Sequence, residues 1–466
     1  MGGTGLGAVR AVPYPSDLGE IARSLSTEPA WFWLDGDAAE DSRMSYLGVA
    51  SEVVEARRGR EHEFLRLLAP AAPAERATGA SGFAGGWVAA LSYEFGVSLL
   101  GLDPAPDDAS PAFALRVSTV LAVDHARGTA ELRGEGAAAL DEWIARFGSG
   151  VSSESRADAG RPGRSGTGVR SSPVGGARVG SPVWRRTSAA YRADVEACLA
   201  AIAAGDAYVL CLTDTAEADG AFEPLELYRE LRASGGAVRG GVIVAAGRAL
   251  VSASPERFIE VRGDRVATRP IKGTRRRDPD PVGDRELAAE LARDPKERAE
   301  NLMIVDLMRN DLSRVCRPGS VGVEGFLRVE THAHVHQLVS TVRGRLAPGS
   351  GIAEVLRSCF PGGSMTGAPK RRAVELLAGL ERGPRGLYSG CFGWIGDEGD
   401  AELAMTIRSV ELRGGSGESG SGPTRFATAR VGAGGGITAD SDPAHEDAEK
   451  ELKAVPLIRA LGAVSW

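Results

Sequence analysis

One stretch limits what this chain can fold into more than any other. From about Gly148 to Pro182 the sequence is rich in Gly, Ser and Arg and has almost no large apolar side chains. Such a segment cannot bury enough apolar surface to offset the entropy lost in ordering it, so it reads as a linker or surface excursion. The core must come from what lies on either side. That divides the 466 residues into an N-terminal region 1–147, a Gly/Ser/Arg-rich linker 148–185 and a region 186–466. With 43% hydrophobic residues the chain can build a large core, as one large or two ordinary domains.

Before the linker, Trp31-Phe32-Trp33-Leu34 and Gly86 to Tyr93 are strand-like apolar runs. After it, Glu402 to Arg408 alternates in apolarity and is followed, across Gly414 to Gly422, by Arg425 to Val431. This pattern predicts two strands joined by a long loop. Helices are predicted over Tyr191–Ala204, closing at Gly205, and over Lys296–Val315, stopping before Pro318-Gly319. A third opens at Asp442-Pro443, an N-cap followed by Pro at the first helical position, and runs to Leu461 with one interruption at Pro456. Strands and helices mix without a strict βαβ beat, which favours an α+β fold over a doubly wound sheet. No internal repeat is visible.

The net charge of -7 argues against a dedicated nucleic-acid binder. Five cysteines, Cys198, Cys211, Cys316, Cys359 and Cys391, are scattered without a C-x-x-C pair, which suits a reducing compartment better than a disulfide framework. There is no basic segment leading into an apolar run at the N-terminus, and no apolar stretch approaches the ~18 residues needed to span a membrane. The expected location is cytoplasmic.

Of 55 Lys plus Arg, only Lys272, Lys296, Lys370, Lys450 and Lys453 are lysines. Arginine stays protonated, whereas a lysine in a dry, positively charged pocket can lose its proton and act as nucleophile or base. Lys272 lies in Arg269-Pro270-Ile271-Lys272-Gly273-Thr274-Arg275-Arg276-Arg277, where Pro and Gly suggest a rigid turn and four arginines are expected to depress its pKa. Neutrality near pH 7 needs about 4 kcal/mol of differential stabilisation.

Two Glu-x-x-Glu pairs, Glu297/Glu300 and Glu446/Glu449, have the i,i+3 spacing that puts both carboxylates on one helix face. Facing one another across a cleft they would make an oxygen-only site for Mg²⁺; spacing alone also suits solvated helices with ordinary salt bridges. Lys453 follows Glu449 by four and shares its face. In Phe360 to Lys370, Gly367 is followed by Ala-Pro-Lys, so a phosphate loop is excluded, and Gly432 to Ile437 lacks the third glycine of a dinucleotide fingerprint. Both segments can still present backbone N–H groups to a carboxylate.

Taken in order, these segments resemble the chorismate-utilising enzymes: anthranilate synthase component I, aminodeoxychorismate synthase component I, and isochorismate and salicylate synthases. The resemblance is strong from about Thr187 to Lys453. It rests on Gly205-Asp206-Ala207-Tyr208, Ser254 to Phe258, Pro270 to Thr274, Asn301 to Leu312, Phe360 to Lys370 and Asp440 to Pro443. The resemblance implies one α+β unit in which two large antiparallel sheets pack face to face, surrounded by helices, with the active site between them. Lys272 picks the branch: anthranilate synthases have Pro-Ile-Ala-Gly-Thr here, whereas aminodeoxychorismate synthases have Pro-Ile-Lys-Gly-Thr, as this chain does. Isochorismate and salicylate synthases carry a water-activating lysine where this chain has Val209.

The implied activity is conversion of chorismate plus ammonia to 4-amino-4-deoxychorismate, for p-aminobenzoate and folate or a p-aminobenzoate-derived metabolite. The implied cofactor is Mg²⁺, held by Glu300 and Glu449 with Glu297 and Glu446 close by. Lys453, Arg408 and the main chain near Thr366, Gly434 and Gly435 would receive the substrate's anionic groups, with Tyr388 and Gln337 beside it. Lys272 would attack C2 as the C4 hydroxyl leaves, with Glu256 as its acid and later the base for ammonia. Family members usually have His in the slot of Gln337, and here His336 comes one residue early. No segment resembles a glutamine amidotransferase, so a separate amidotransferase subunit, forming a heterodimer, is implied as the ammonia source. The rival within the family is anthranilate synthase component I; a rival of another class is a ligand-binding scaffold without catalysis, against which the intact Lys272, Glu256 and four glutamates argue.

Overall fold

The computed structural model describes residues 7–36, 43–70, 82–148, 179–234, 239–332, 335–415 and 423–462. Most of the Gly/Ser/Arg-rich stretch, 149–178, and residues 416–422 of the second Gly-rich piece lie outside the described residues. Among the described residues the strands form two antiparallel sheets of twelve and ten strands, as an α+β fold with the helices outside. Regions 1–147 and 186–466 share both sheets: Trp31–Asp35 pairs with Arg239–Ala245 in the larger, and Gly86–Leu91 with Cys391–Gly396 in the smaller.

The run Trp31-Phe32-Trp33-Leu34 is apolar throughout because both faces of its sheet are covered. Side chains alternate across a strand, and Phe32 and Leu34 point into the layer between the sheets with Ile243, Val88, Phe392 and Trp394. Trp31 and Trp33 point the other way, against the helices that carry Ile21, Trp143, Tyr228 and Leu457. A separate cluster joins the smaller sheet to the helices bearing Ile304, Met308, Val355 and Leu356.

Three expectations change in detail. The helices run Ser188–Ala203, Pro295–Ser313 and Pro443–Ala460, and Pro456 sits inside the last without breaking it. The segment expected as one strand over 402–408 stops at Met405, and the chain crosses from one sheet to the other. Ala401–Met405 pairs with Cys391–Gly396 in the smaller sheet, whereas Ser409–Gly415 pairs with Arg248–Ser254 and Phe426–Ile437 in the larger. Arg408 makes the crossing in a left-handed conformation, φ 52°, which costs a non-glycine residue about 1 kcal/mol or more. Among the described residues no helix is long and apolar enough to cross a membrane.

Candidate active site

Both Glu-x-x-Glu pairs begin in the first turn of a capped helix. Asp294 accepts from the amides of Lys296 and Glu297 ahead of Pro295 at the first position, and Asp442 accepts from the amide of His445 ahead of Pro443. Free N–H groups and the helix dipole favour negative charge there. Glu300 lies 3.7 Å from Lys272 Nζ, and Glu297 lies 3.3 Å from Arg275. Glu446 is buried and accepts from Ser441 Oγ at 2.7 Å, while Glu449 meets Lys453 Nζ at 2.7 Å.

The strand Phe426–Ile437 ends beside these groups. A Cβ added at Gly435 would stand 3.0 Å from Glu446 Oε2 and 4.0 Å from Glu449 Oε1; one at Gly436 would stand 3.8 Å from Lys272 Nζ and 3.5 Å from Val209 Cγ2. The ammonium of Lys296, on the first helix, also acts on Glu446 and Glu449 of the other, so the two helix starts are near one another. Among the described residues, the ligand atoms that come within 4.8 Å of one another are those of His445, Glu446 and Glu449. Glu297 and Glu300 stand outside that group, so the four glutamates come together as two pairs rather than one closed shell. The set still suits a hard divalent cation: its donors are carboxylate oxygens, and Gly435 leaves a hollow that a Cβ would fill.

The electrostatics of the two glutamate pairs follow burial and neighbours. Burial, and then Glu300, raise the pKa of Glu297. Burial likewise raises Glu446. Burial alone would raise Glu449, but Lys453 outweighs it and holds that carboxyl below its usual range.

Lys272 corrects the expectation drawn from its flanking arginines. Burial lowers its pKa, but Glu300, with smaller effects from Cys211, Glu256 and Glu297, outweighs burial and holds the amine above its usual value. The arginines are spent elsewhere. Arg269 pairs with Glu330 at 2.6 Å, Arg275 with Glu290 and Asp294 at 2.8 Å, and Arg277 with Asp284 at 2.8 Å. As the chain stands, Lys272 is an ammonium facing carboxylates.

Glu256 is buried, and Ser364 Oγ donates to its Oε1 at 2.9 Å. Burial pushes its pKa up to about 7, against the opposing pull of Ser364 and of Lys272. A carboxyl that is half protonated at neutral pH can give a proton and take one back.

Arg408 is exposed, with no ion-pair partner among the described residues, and its charge is felt by Tyr388 and Glu449. It is a guanidinium available to an anion. Tyr388 packs against Gly432, where a Cβ would stand 2.1 Å from its Cγ. The carbonyl of Gly434 accepts from Lys453 Nζ at 2.9 Å. Thr366 is fully buried; its amide and hydroxyl donate to Gly363 and Gly362 carbonyls and its own carbonyl accepts from Cys211, so its polar groups are all engaged within the chain. Gln337 is buried opposite Thr274. The period of two turns His336 to the other face of the strand, where its ring nitrogens meet Thr331 and Asp284 at 2.9 Å, so it cannot stand in for a histidine in the Gln337 slot.

Sequence reasoning missed the groups that hold the site in place. Ser364 and Ser441 lie inside the recognised motifs, yet no spacing rule marks Ser364 as the partner of Glu256, 108 residues away, or Ser441 as the partner of Glu446, five residues on. Asn301 is fully buried, donates to the Leu338 carbonyl at 3.2 Å and accepts from Ser340 Oγ at 2.6 Å, which fixes the helix of Glu297 and Glu300 to the strand of Gln337. A cavity of about 330 Å³ between the sheets, lined by Leu34, Tyr46, Arg239, Trp394 and Glu402 among others, contains none of the site residues.

Comparison with known proteins gives the chain its family and fold. An aminodeoxychorismate synthase from Streptomyces griseus is 40% identical over 81% of this chain and 50% of its own length. One from Streptomyces pristinaespiralis is 44% identical over 60% of this chain and 37% of its own, and anthranilate synthase component 1 from Streptomyces coelicolor is 43% identical over 56% and 49%. The chain thus spans about half or less of the length of these relatives. Among solved structures, anthranilate synthase component I from Streptococcus pneumoniae superposes with a TM-score of 0.70 over 98% of this chain and 93% of that one, at 22% identity. The menaquinone-specific isochorismate synthase MenF from Escherichia coli gives 0.68 over 98% and 95%, at 18% identity; at such identities the likeness establishes the fold. The family described as chorismate binding enzyme matches residues 29–459, nearly the whole chain, and the protein belongs to it.

Proposed function

We propose that this chain aminates chorismate at C4, yielding 4-amino-4-deoxychorismate, as an aminodeoxychorismate synthase component I does. The observation that carries the reading is Lys272 itself: its amine lies within 4 Å of Glu300 and of the hollow at Gly436, where a branch of the family that makes anthranilate would have alanine.

In this reading chorismate's carboxylates lie toward Arg408 and Lys453. Lys272 Nζ bonds to C2 as the C4–O bond breaks, and Glu256 delivers the proton that lets the hydroxyl leave as water. Ammonia then bonds to C4, the bond from Lys272 to C2 breaks, and Glu256 takes up the proton that ammonia loses. The amine must be neutral to attack; burial favours that form and Glu300 opposes it, so neutralising Glu300 tips the balance. Mg²⁺ at the glutamates would supply positive charge against a substrate carboxylate. Val209, apolar and buried beside Lys272, offers nothing that could activate water at C2.

Ammonia would come from a separate glutamine amidotransferase subunit. All five cysteines of this chain are buried, and burial raises each thiol, Cys316 to about 11 and Cys198 to about 12, so none is poised as a glutaminase thiolate.

The second reading is anthranilate synthase component I, favoured by relatives of that name at similar identity. Mass identification of the product from chorismate, Mg²⁺ and an ammonium salt decides between them. The expected product releases p-aminobenzoate when the matching lyase is added; anthranilate in its place overturns the reading.

A further inference from the structure

The helix Lys370–Glu381 ends in a left-handed turn at Arg382, φ 58°, and the chain returns so that Arg385 meets Glu381. Both residues are buried. Every N–H of the guanidinium finds an acceptor. Nε and Nη2 donate to the two carboxylate oxygens of Glu381 at 2.8 and 2.7 Å, and Nη2 also donates to the Cys211 carbonyl at 2.9 Å. Nη1 donates to the Met365 carbonyl at 2.7 Å and to Ser389 Oγ at 3.2 Å. The main chain here is fixed as firmly: the amides of Arg385 and Gly386 donate to the buried Glu94 at 2.7 and 3.1 Å, and the guanidinium carbon lies 4.0 Å from the centre of the Tyr93 ring.

A buried ion pair adds little net stability, because desolvation offsets its attraction. This one joins two segments of the site. Cys211 belongs to the strand of Val209, the side chain that shares the hollow at Gly436 with Lys272 Nζ. Met365 follows Ser364, whose hydroxyl donates to Glu256 at 2.9 Å. The same segments meet again where the Cys211 amide donates to the Thr366 carbonyl at 2.9 Å. The turn Gly363–Met365 is thus clamped to the strand Val209–Phe222. Its other side packs on the helix that bears Glu300, where a Cβ added at Gly363 would stand 2.5 Å from Leu307 and 2.6 Å from Met308.

We propose that Arg385 is a positioning residue for Glu256: by holding the Met365 carbonyl it fixes the turn that keeps Ser364 Oγ on the acid. This rests on the reading of Glu256 as the acid of chorismate amination, and adds what holds that acid in place. Lysine is no substitute, since an ammonium lacks the planar fork that spans a carboxylate and two carbonyls at once. Besides burial, the groups that act on the Glu256 carboxyl are Ser364 and Lys272; Arg385 is not among them. A change in Glu256 on replacing Arg385 therefore reports the Ser364 contact and not the lost charge.

The test is titration of Glu256 itself, read from the carbon NMR signal of its carboxyl in glutamate-labelled full chain and assigned by its loss in Glu256→Gln. Alongside it, kcat and KM for chorismate are measured with Mg²⁺ and ammonium salt at a fixed concentration of free ammonia. Arg385→Lys keeps a cation beside Glu381 and should raise the Glu256 pKa in the same direction as Ser364→Ala does. Its kcat should fall by about tenfold or more while KM stays within about twofold of the parent. Adding Ser364→Ala to Arg385→Lys should raise the pKa no further. Circular dichroism checks that each variant folds. If Arg385→Lys does not, Arg385→Met combined with Glu381→Gln removes both buried charges together, leaves an acceptor for Thr213 and carries the same expectations. A Glu256 pKa equal to the parent's in a folded Arg385 variant, or two shifts that simply add, would overturn the proposal, because Arg385 would then not act through Ser364. The titration needs no turnover, so its outcome stands apart from the amination reading, which fails separately if the product is anthranilate.

Discussion

The amine of Lys272 and the carboxylate of Glu300 stand 3.7 Å apart, on an edge strand of the smaller sheet and on the helix packed over it. Each limits the other. Glu300 keeps the amine charged, and the amine occupies the carboxylate that a cation would use. The pair couples the charge state of the amine to whatever binds at the glutamates.

Lys272→Ala should lower amination of chorismate by ammonia by roughly 10²-fold or more, because it removes a covalent step. Lys272→Arg should do no better, since guanidinium stays charged. Both are checked by product quantification with ammonium salt; a variant that kept the wild-type rate and product would show that Lys272 is not the nucleophile.

Glu300→Gln and Glu449→Gln should each raise the Mg²⁺ concentration needed for half activity while leaving thermal unfolding nearly unchanged, as both side chains are partly exposed. Calorimetric Mg²⁺ titration checks this independently of turnover. If both variants bound Mg²⁺ as the parent does, the glutamates would return to being ordinary ion-pair partners.

The carboxyl of Glu256 titrates near 7 because it is buried, and Ser364 pulls that value down by donating to the charged form. If Glu256 protonates the leaving hydroxyl, activity at a fixed concentration of free ammonia falls as pH rises through about 7, and Ser364→Ala moves that fall to higher pH. The same shift bears on stability. A carboxyl whose folded pKa lies above its unfolded value favours the fold below the unfolded value and loses that contribution as pH rises through the folded one. The window here runs from about 4.5 to about 7. Above it, the buried charge costs on the order of 3 kcal/mol. Glu256→Gln should therefore be inactive yet more stable than the parent at pH 8, with the difference gone near pH 4; denaturant melts at the two pH values measure it.

Arg408 combines a strained backbone with a free guanidinium. Arg408→Gly relieves the left-handed conformation, so the melting temperature should hold or rise. Loss of a charge-assisted bond to a carboxylate costs about 1.5–3 kcal/mol, so chorismate affinity should drop roughly 10- to 100-fold. A variant that bound chorismate normally would remove Arg408 from the substrate site.

Alone, the chain should use ammonium salts but not glutamine, with activity rising as ammonium deprotonates, until the fall set by Glu256 takes over. An amidotransferase subunit should confer glutamine-driven turnover at neutral pH. Robust glutamine use by the purified chain would send the search back to its five cysteines.

What the sequence by itself determined is what local chemistry dictates. Asp294-Pro295 and Asp442-Pro443 start helices because a side-chain cap and a missing N–H act within one turn, and the i,i+3 glutamates share a face because helix geometry requires it. The motifs around Glu256 and Ser441 were legible through their resemblance to the family, and Lys272 also as one of only five lysines. The tertiary structure decided what depends on segments far apart in the chain. Leu91 pairs with Cys391, Ser364 supports Glu256, and the chain changes sheets between Met405 and Ser409, none of which a window of neighbouring residues contains. Lys272 shows the difference most directly. Its neighbours in sequence are arginines, which would free its proton; its neighbours in space are Glu300, Glu256 and Glu297, which hold it. Electrostatic energy falls with distance through space, so the folded arrangement, not the order of residues, sets the charge on that amine.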